Sequence, residues 1–137
     1  FGYAGVEGGD RIVPRITIHA FASRTGLLAA LRKVPRDRRM QNATMEVHEG
    51  GVAAAISHYA LETTPNLLIL EGAGEPQRML QELDSLAEHC DESLRVIVIG
   101  ETNDIRLYRE LMRRGVSEYL VAPVEPVQLI RTISGLF

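Results

Sequence analysis

Leu67-Leu68-Ile69-Leu70 is a run of four apolar residues, with a turn before it (Thr64-Pro65-Asn66) and another after it (Gly72-Ala73-Gly74). A run that short and unbroken predicts a strand buried on both faces. Such a strand belongs in the middle of a parallel sheet with helices on either side. Leu94 to Ile99 repeats the pattern, Arg15 to Phe21 predicts a first strand, and Glu118 to Ala122 the last. Ala43 to His48 alternates as a strand with one wet face does, at or near a sheet edge.

Between these runs the period changes to that of helices. Thr25 to Val34 is one, with Ser23 or Thr25 as its cap and Pro35 beyond its end. Val52 to Leu61 is entered through Gly50-Gly51 and carries Val52, Ala55, Ile56, Tyr59 and Ala60 on one stripe. Pro76 suits the first position of a third helix reaching about His89, with Met79, Leu80, Leu83, Leu86 and Ala87 inward. Asp104 to Arg114 is a fourth, which Thr102 or Asn103 can cap and Gly115 can end in the left-handed conformation. Pro126 opens a fifth, through Leu136. Five strands alternating with five helices through short connections predict a doubly wound α/β fold. Its simplest arrangement is the flavodoxin-like five-stranded parallel sheet, order 2-1-3-4-5, with helices on both faces.

Composition narrows the function. The 137 residues suit one domain, and a formal net charge of -3 provides no broad positive field, so nucleic-acid binding is not expected. Cys90 is the sole cysteine, which cannot staple the fold and suits a reducing cytoplasm. No apolar run approaches the roughly 18 residues needed to span a bilayer. The glycine-rich start, residues 1–12, reads as a disordered tail ahead of a domain over residues 13–137. No leader is visible, and the chain reads as a piece of something longer.

Open α/β sheets place their working groups at the carboxyl ends of the strands, and here the central strand ends in Glu71. His19, His48, His58, His89 and Cys90 show no recognised ligand spacing, so neither a metal nor any other cofactor is expected. Gly72-Ala73-Gly74 reads as a loop rather than a phosphate cradle. Arg32, Lys33, Arg36, Arg38 and Arg39, interrupted by Asp37, read as a solvated helix end.

The sequence resembles a known family at these strand ends. Leu70-Glu71, Ile99-Gly100-Glu101 and the stretch Arg114-Gly115-Val116-Ser117-Glu118-Tyr119-Leu120-Val121-Ala122-Pro123-Val124 resemble the CheY-like receiver domain of response regulators, over Arg15 to Leu136. The resemblance puts Glu71 at the phosphoacceptor position. It matches His19-Ala20-Phe21 to the acidic pair that holds Mg²⁺, Gly100 to the Thr or Ser that reads the phosphoryl group, and Ala122 to the Lys before the Pro. Every one of these matches has lost the receiver's group. One glutamate cannot supply the oxygens Mg²⁺ requires, and phosphoryl transfer without metal or cation loses its charge neutralisation.

A narrower resemblance rests on Asp37-Arg38-Arg39-Met40, on Val47 through Ala55, on Thr64-Pro65-Asn66-Leu67, and on Asn103 through Pro123. These are similar to the amino-terminal domain of CpaE/TadZ proteins of the bacterial Flp (tad) pilus. That family joins an atypical receiver to a MinD/ParA-like ATPase. The resemblance implies a non-catalytic pseudo-receiver in the cytoplasm, at the cell pole or the inner face of the membrane without inserting into it. It would pair with itself and meet pilus-assembly or polar proteins. The ATPase would lie elsewhere in the parent chain, since no Gly-x-x-x-x-Gly-Lys-Ser/Thr loop occurs here. By analogy with receivers, the interaction face would draw on Ile105, Tyr108, Arg109, Met112, Glu118, Tyr119, Val121 and Val124. The alternative is a phosphoaccepting receiver of a two-component relay.

Overall fold

The computed structural model describes residues 11–137. Its strands are β1 (Thr17–Ala22), β2 (Thr44–Glu49), β3 (Leu67–Glu71), β4 (Arg95–Gly100) and β5 (Glu118–Val121). The helices are α1 (Thr25–Lys33), α2 (Val52–Tyr59), α3 (Pro76–Ala87), α4 (Ile105–Arg113) and α5 (Pro126–Leu136). All strand pairs are parallel and the order is β2-β1-β3-β4-β5, as the alternation of patterns predicts. Two 3-10 turns, Val34–Arg36 and Arg38–Met40, carry the chain from α1 to β2. Pro35 lies inside the first of them.

All five residues of β3 are buried, and alternation sends them into two cores. Leu67 and Ile69 join Ile18, Ala20, Ile97 and Ile99 under α1 and α5. Leu68 and Leu70 join Phe21, Val96 and Val98 under α2, α3 and α4. Each fully buried aliphatic contributes about 1.5–3 kcal/mol by leaving water. β2, one of the two edge strands, buries none of its residues completely.

Several local expectations change. Neither Ser23 nor Thr25 caps α1: Arg24 occupies that position with no side-chain cap. Asp104, not Thr102 or Asn103, caps α4, its Oδ1 accepting from Arg106 N at 2.8 Å. α2 ends at Tyr59, leaving Ala60 exposed, and α3 ends at Ala87. Gly115 has the left-handed φ of +85° expected after α4. Of the tail expected over residues 1–12, the first ten lie outside the described residues. Arg11 is tied to α5: its guanidinium donates to Ser134 O at 3.3 Å, and Ser134 Oγ donates to its carbonyl at 2.8 Å.

Candidate functional site

The carboxyl ends of β1, β3, β4 and β5 open into a cleft of roughly 670 Å³ between α1 and the start of α5. Glu71, Arg24, Glu101, Ala122, Pro123 and Val124 are among the residues that line it. Although it ends a strand, Glu71 is only 6% exposed. Burying a carboxylate is costly unless donors replace its water. Ser23 supplies two: its backbone N–H and its hydroxyl each lie 2.9 Å from Glu71 Oε1. The Arg24 N–H adds a third at 3.4 Å. The hydroxyl that could have capped α1 is therefore spent on Glu71.

This arrangement corrects the match at the end of β1. Phe21 pairs with Leu70, and β1 runs on to Ala22, so the residues that reach Glu71 are Ser23 and Arg24. Ala20 and Phe21 are buried within the strand, and His19 points toward α2, where its Nδ1 lies 2.6 Å from Tyr59 Oη. None of the three lines the cleft. Ser23 and Arg24 offer no carboxylate. Glu101, at the rim, pairs with the Arg24 guanidinium. These residues do not fit a Mg²⁺ site, which needs several oxygens free to turn inward in octahedral geometry.

Gly100 and Ala122 occupy neighbouring strand ends, with Ala122 N donating to Gly100 O at 2.7 Å. The Ala122–Pro123 peptide is cis. Tyr119 crosses over Gly100 and donates its hydroxyl to Thr102 O at 2.8 Å. It is 8% exposed, and burial pushes its phenol pKa up. Tyr119 is therefore a core residue rather than part of a contact face, and Val124, packed against the α1 and α5 core, is another. Met112, Glu118 and Val121 are half-buried, whereas Ile105, Tyr108 and Arg109 are exposed on α4.

A second cluster forms at the far edge of the sheet. His19, His48 and His58 come together there from β1, β2 and α2, while His89 stays apart and exposed. Linear spacing holds no sign of this, because each histidine comes from a different element. Burial holds the His19 pKa below the usual histidine value, against the opposing pull of Glu46, and the two neighbouring imidazoles lower it further.

No protein-family model matches the chain, and no curated protein matches it. Solved structures do. A pilus assembly protein CpaE from Caulobacter crescentus is 50% identical, with a TM-score of 0.89 over 93% of this chain and 97% of that one. A putative CpaE2 pilus assembly protein from Sinorhizobium meliloti is 36% identical, with a TM-score of 0.85 over 88% of this chain and 99% of that one. A CheY-like response regulator from Mesorhizobium loti matches at 17% identity and a TM-score of 0.61, over 87% of this chain and 96% of that one. At that identity the likeness is one of fold alone. The parallel 2-1-3-4-5 sheet, the altered cleft at its crown and identity along nearly the whole length agree: this chain belongs to the CpaE family of pilus assembly proteins, with a receiver-like fold.

Proposed function

We propose that this chain is a non-catalytic pseudo-receiver that works by binding, pairing with a second copy and with pilus-assembly proteins. In this reading it positions a MinD/ParA-like ATPase carried by the same parent chain, in the cytoplasm and at the cell pole. The observation that carries the reading is the state of Glu71. Its Oε1 accepts from Ser23 N, Ser23 Oγ and Arg24 N, so donors of the chain occupy one of the two oxygens that a metal and a phosphoryl group would share. Phosphoryl transfer depends on positioned metal and cation, and of the charged groups in the cleft Arg24 and Glu101 are paired with each other. Gly100 has no hydroxyl and Ala122 no charge with which to read a modified Glu71.

The docking face we assign is the exposed stripe of α4. Ile105, Tyr108 and Arg109 are exposed there at helical spacing, with the half-buried Met112 at their end, away from the buried Leu107 and Leu111. Ile105 is 62% exposed and Tyr108 39%, an apolar and an amphipathic anchor with Arg109 beside them.

The test is incubation with a small phosphodonor and Mg²⁺, followed by intact-mass measurement. The expected result is no phosphate adduct. An adduct present in the wild type and lost in Glu71→Gln would establish a phosphoaccepting receiver instead.

A further inference from the structure

The three histidines at the β2 edge carry an inference separate from the cleft. The register pairs His19 with Glu46 and Phe21 with His48, so His19, Glu46 and His48 share the sheet face that α2 covers. His58 comes down from α2 onto the same spot, its ring centroid 5.0 Å from that of His48 and 6.0 Å from that of His19. One ligand nitrogen from each of the three lies within 4.8 Å of the others. Ligand nitrogens around one tetrahedral zinc-sized ion, each about 2.0–2.1 Å from it, stand about 3.3 Å apart. Small side-chain rotations close that difference.

We propose that His19, His48 and His58 bind a divalent transition-metal ion of the zinc class, with Glu46 as its fourth ligand. Imidazole nitrogens suit such ions far better than Mg²⁺ or Ca²⁺. The Glu46 carboxylate flanks two of the three: Oε2 is 3.2 Å from His19 Nε2 and Oε1 is 3.1 Å from His48 Nε2. Metal-binding histidines characteristically donate their second ring N–H to an oxygen, which fixes the tautomer. Tyr59 Oη, 2.6 Å from His19 Nδ1, is placed to accept that N–H once the ion takes Nε2. The His19 side chain is 12% exposed and that of Glu46 is 55%, so the site is walled on the sheet side and open to solvent at the edge. Bound there, the ion would tie the edge strand β2 to α2 and β1.

The experiment is titration of the chelator-treated chain with Zn²⁺, and with Co²⁺ as a spectroscopic probe, each in competition with a chromophoric chelator. We expect saturation at one equivalent and the visible bands of four-coordinate Co²⁺. His48→Asn and His58→Asn should each weaken binding about ten-fold or more, since loss of a mere orienting partner already costs about 10–100-fold. Tyr59→Phe should weaken it about ten-fold on the same ground. His89→Asn should leave it unchanged. A second readout avoids variants: in the wild type, Zn²⁺ should protect His19, His48 and His58, but not His89, from acylation by diethyl pyrocarbonate. No saturable binding at one equivalent would overturn the site. So would unaltered affinity in the folded double variant H48N/H58N, or equal acylation of all four histidines with and without Zn²⁺. In those cases the cluster is a hydrogen-bonded aromatic packing motif only.

Discussion

The ring of Tyr119 occupies the space that a side chain at Gly100 would need. A Cβ built on Gly100 would come within 2.9 Å of Tyr119 Cε1 and 3.0 Å of Cζ, and closer still to the hydroxyl. The resemblance to receivers would match this position to their hydroxyl residue. Restoring one by Gly100→Thr is therefore expected to destabilise the fold, by about 1–3 kcal/mol for overpacking. Tyr119→Ala in the same chain should remove the clash, so the two changes should be strongly non-additive in a double-mutant cycle read by urea denaturation. Additive costs would mean that the two positions are not coupled through this contact. Tyr119→Phe, which loses only the bond to Thr102 O, should cost about 1 kcal/mol.

Glu71 and Ser23 make a second coupled pair. Glu71→Ala leaves the Ser23 donors without their acceptor and should destabilise by about 1–3 kcal/mol. Glu71→Gln keeps a carbonyl oxygen that can accept from the same donors, and should cost less than the alanine change. Denaturant midpoints with unchanged slopes would check this. A Gln variant as unstable as the Ala variant would show that charge, not acceptance, holds the loop.

The α4 stripe yields an association prediction. Ile105→Asp or Tyr108→Ala should weaken self-association about ten-fold or more, equivalent to about 1.4 kcal/mol, with little change in folding. Light scattering across a dilution series is the measurement. Tyr119, being buried, should affect association only through stability. An association constant unmoved by both substitutions would remove α4 from the interface.

Asp37 provides the pH dependence. Its side chain accepts from Arg39 N and pairs with the Arg39 guanidinium, and these hydrogen bonds draw its pKa from 3.8 down to about 2. A carboxylate with a depressed folded pKa stabilises fully above its unfolded value, and that stabilisation fades as pH falls through the folded one. The gap in denaturation midpoint between the wild type and Asp37→Asn should thus be constant above about pH 4 and shrink as pH falls toward about 2. A gap independent of pH across that window would mean that the ionised carboxylate contributes nothing.

Much of the fold was legible in the chain. The four-residue run at Leu67–Leu70, the alternation at β2, Pro76 and Pro126 at helix starts and Gly115 at a helix end are local signals. Together they specify element type and order, and right-handed crossovers then leave 2-1-3-4-5 as the simplest sheet. Side-chain convergence was decided elsewhere. That Ser23 and Arg24, rather than His19 to Phe21, meet Glu71 depends on the pairing of Phe21 with Leu70, and a shift of one residue would send each side chain to the other face. Tyr119 turns inward because Gly100, one strand over, leaves its ring the room. His19, His48 and His58 carry no common period because they lie on two adjacent strands and the helix above them. Periodicity records which face a residue occupies along its own element. Only the parallel register and the seating of α2 on the sheet determine which faces meet.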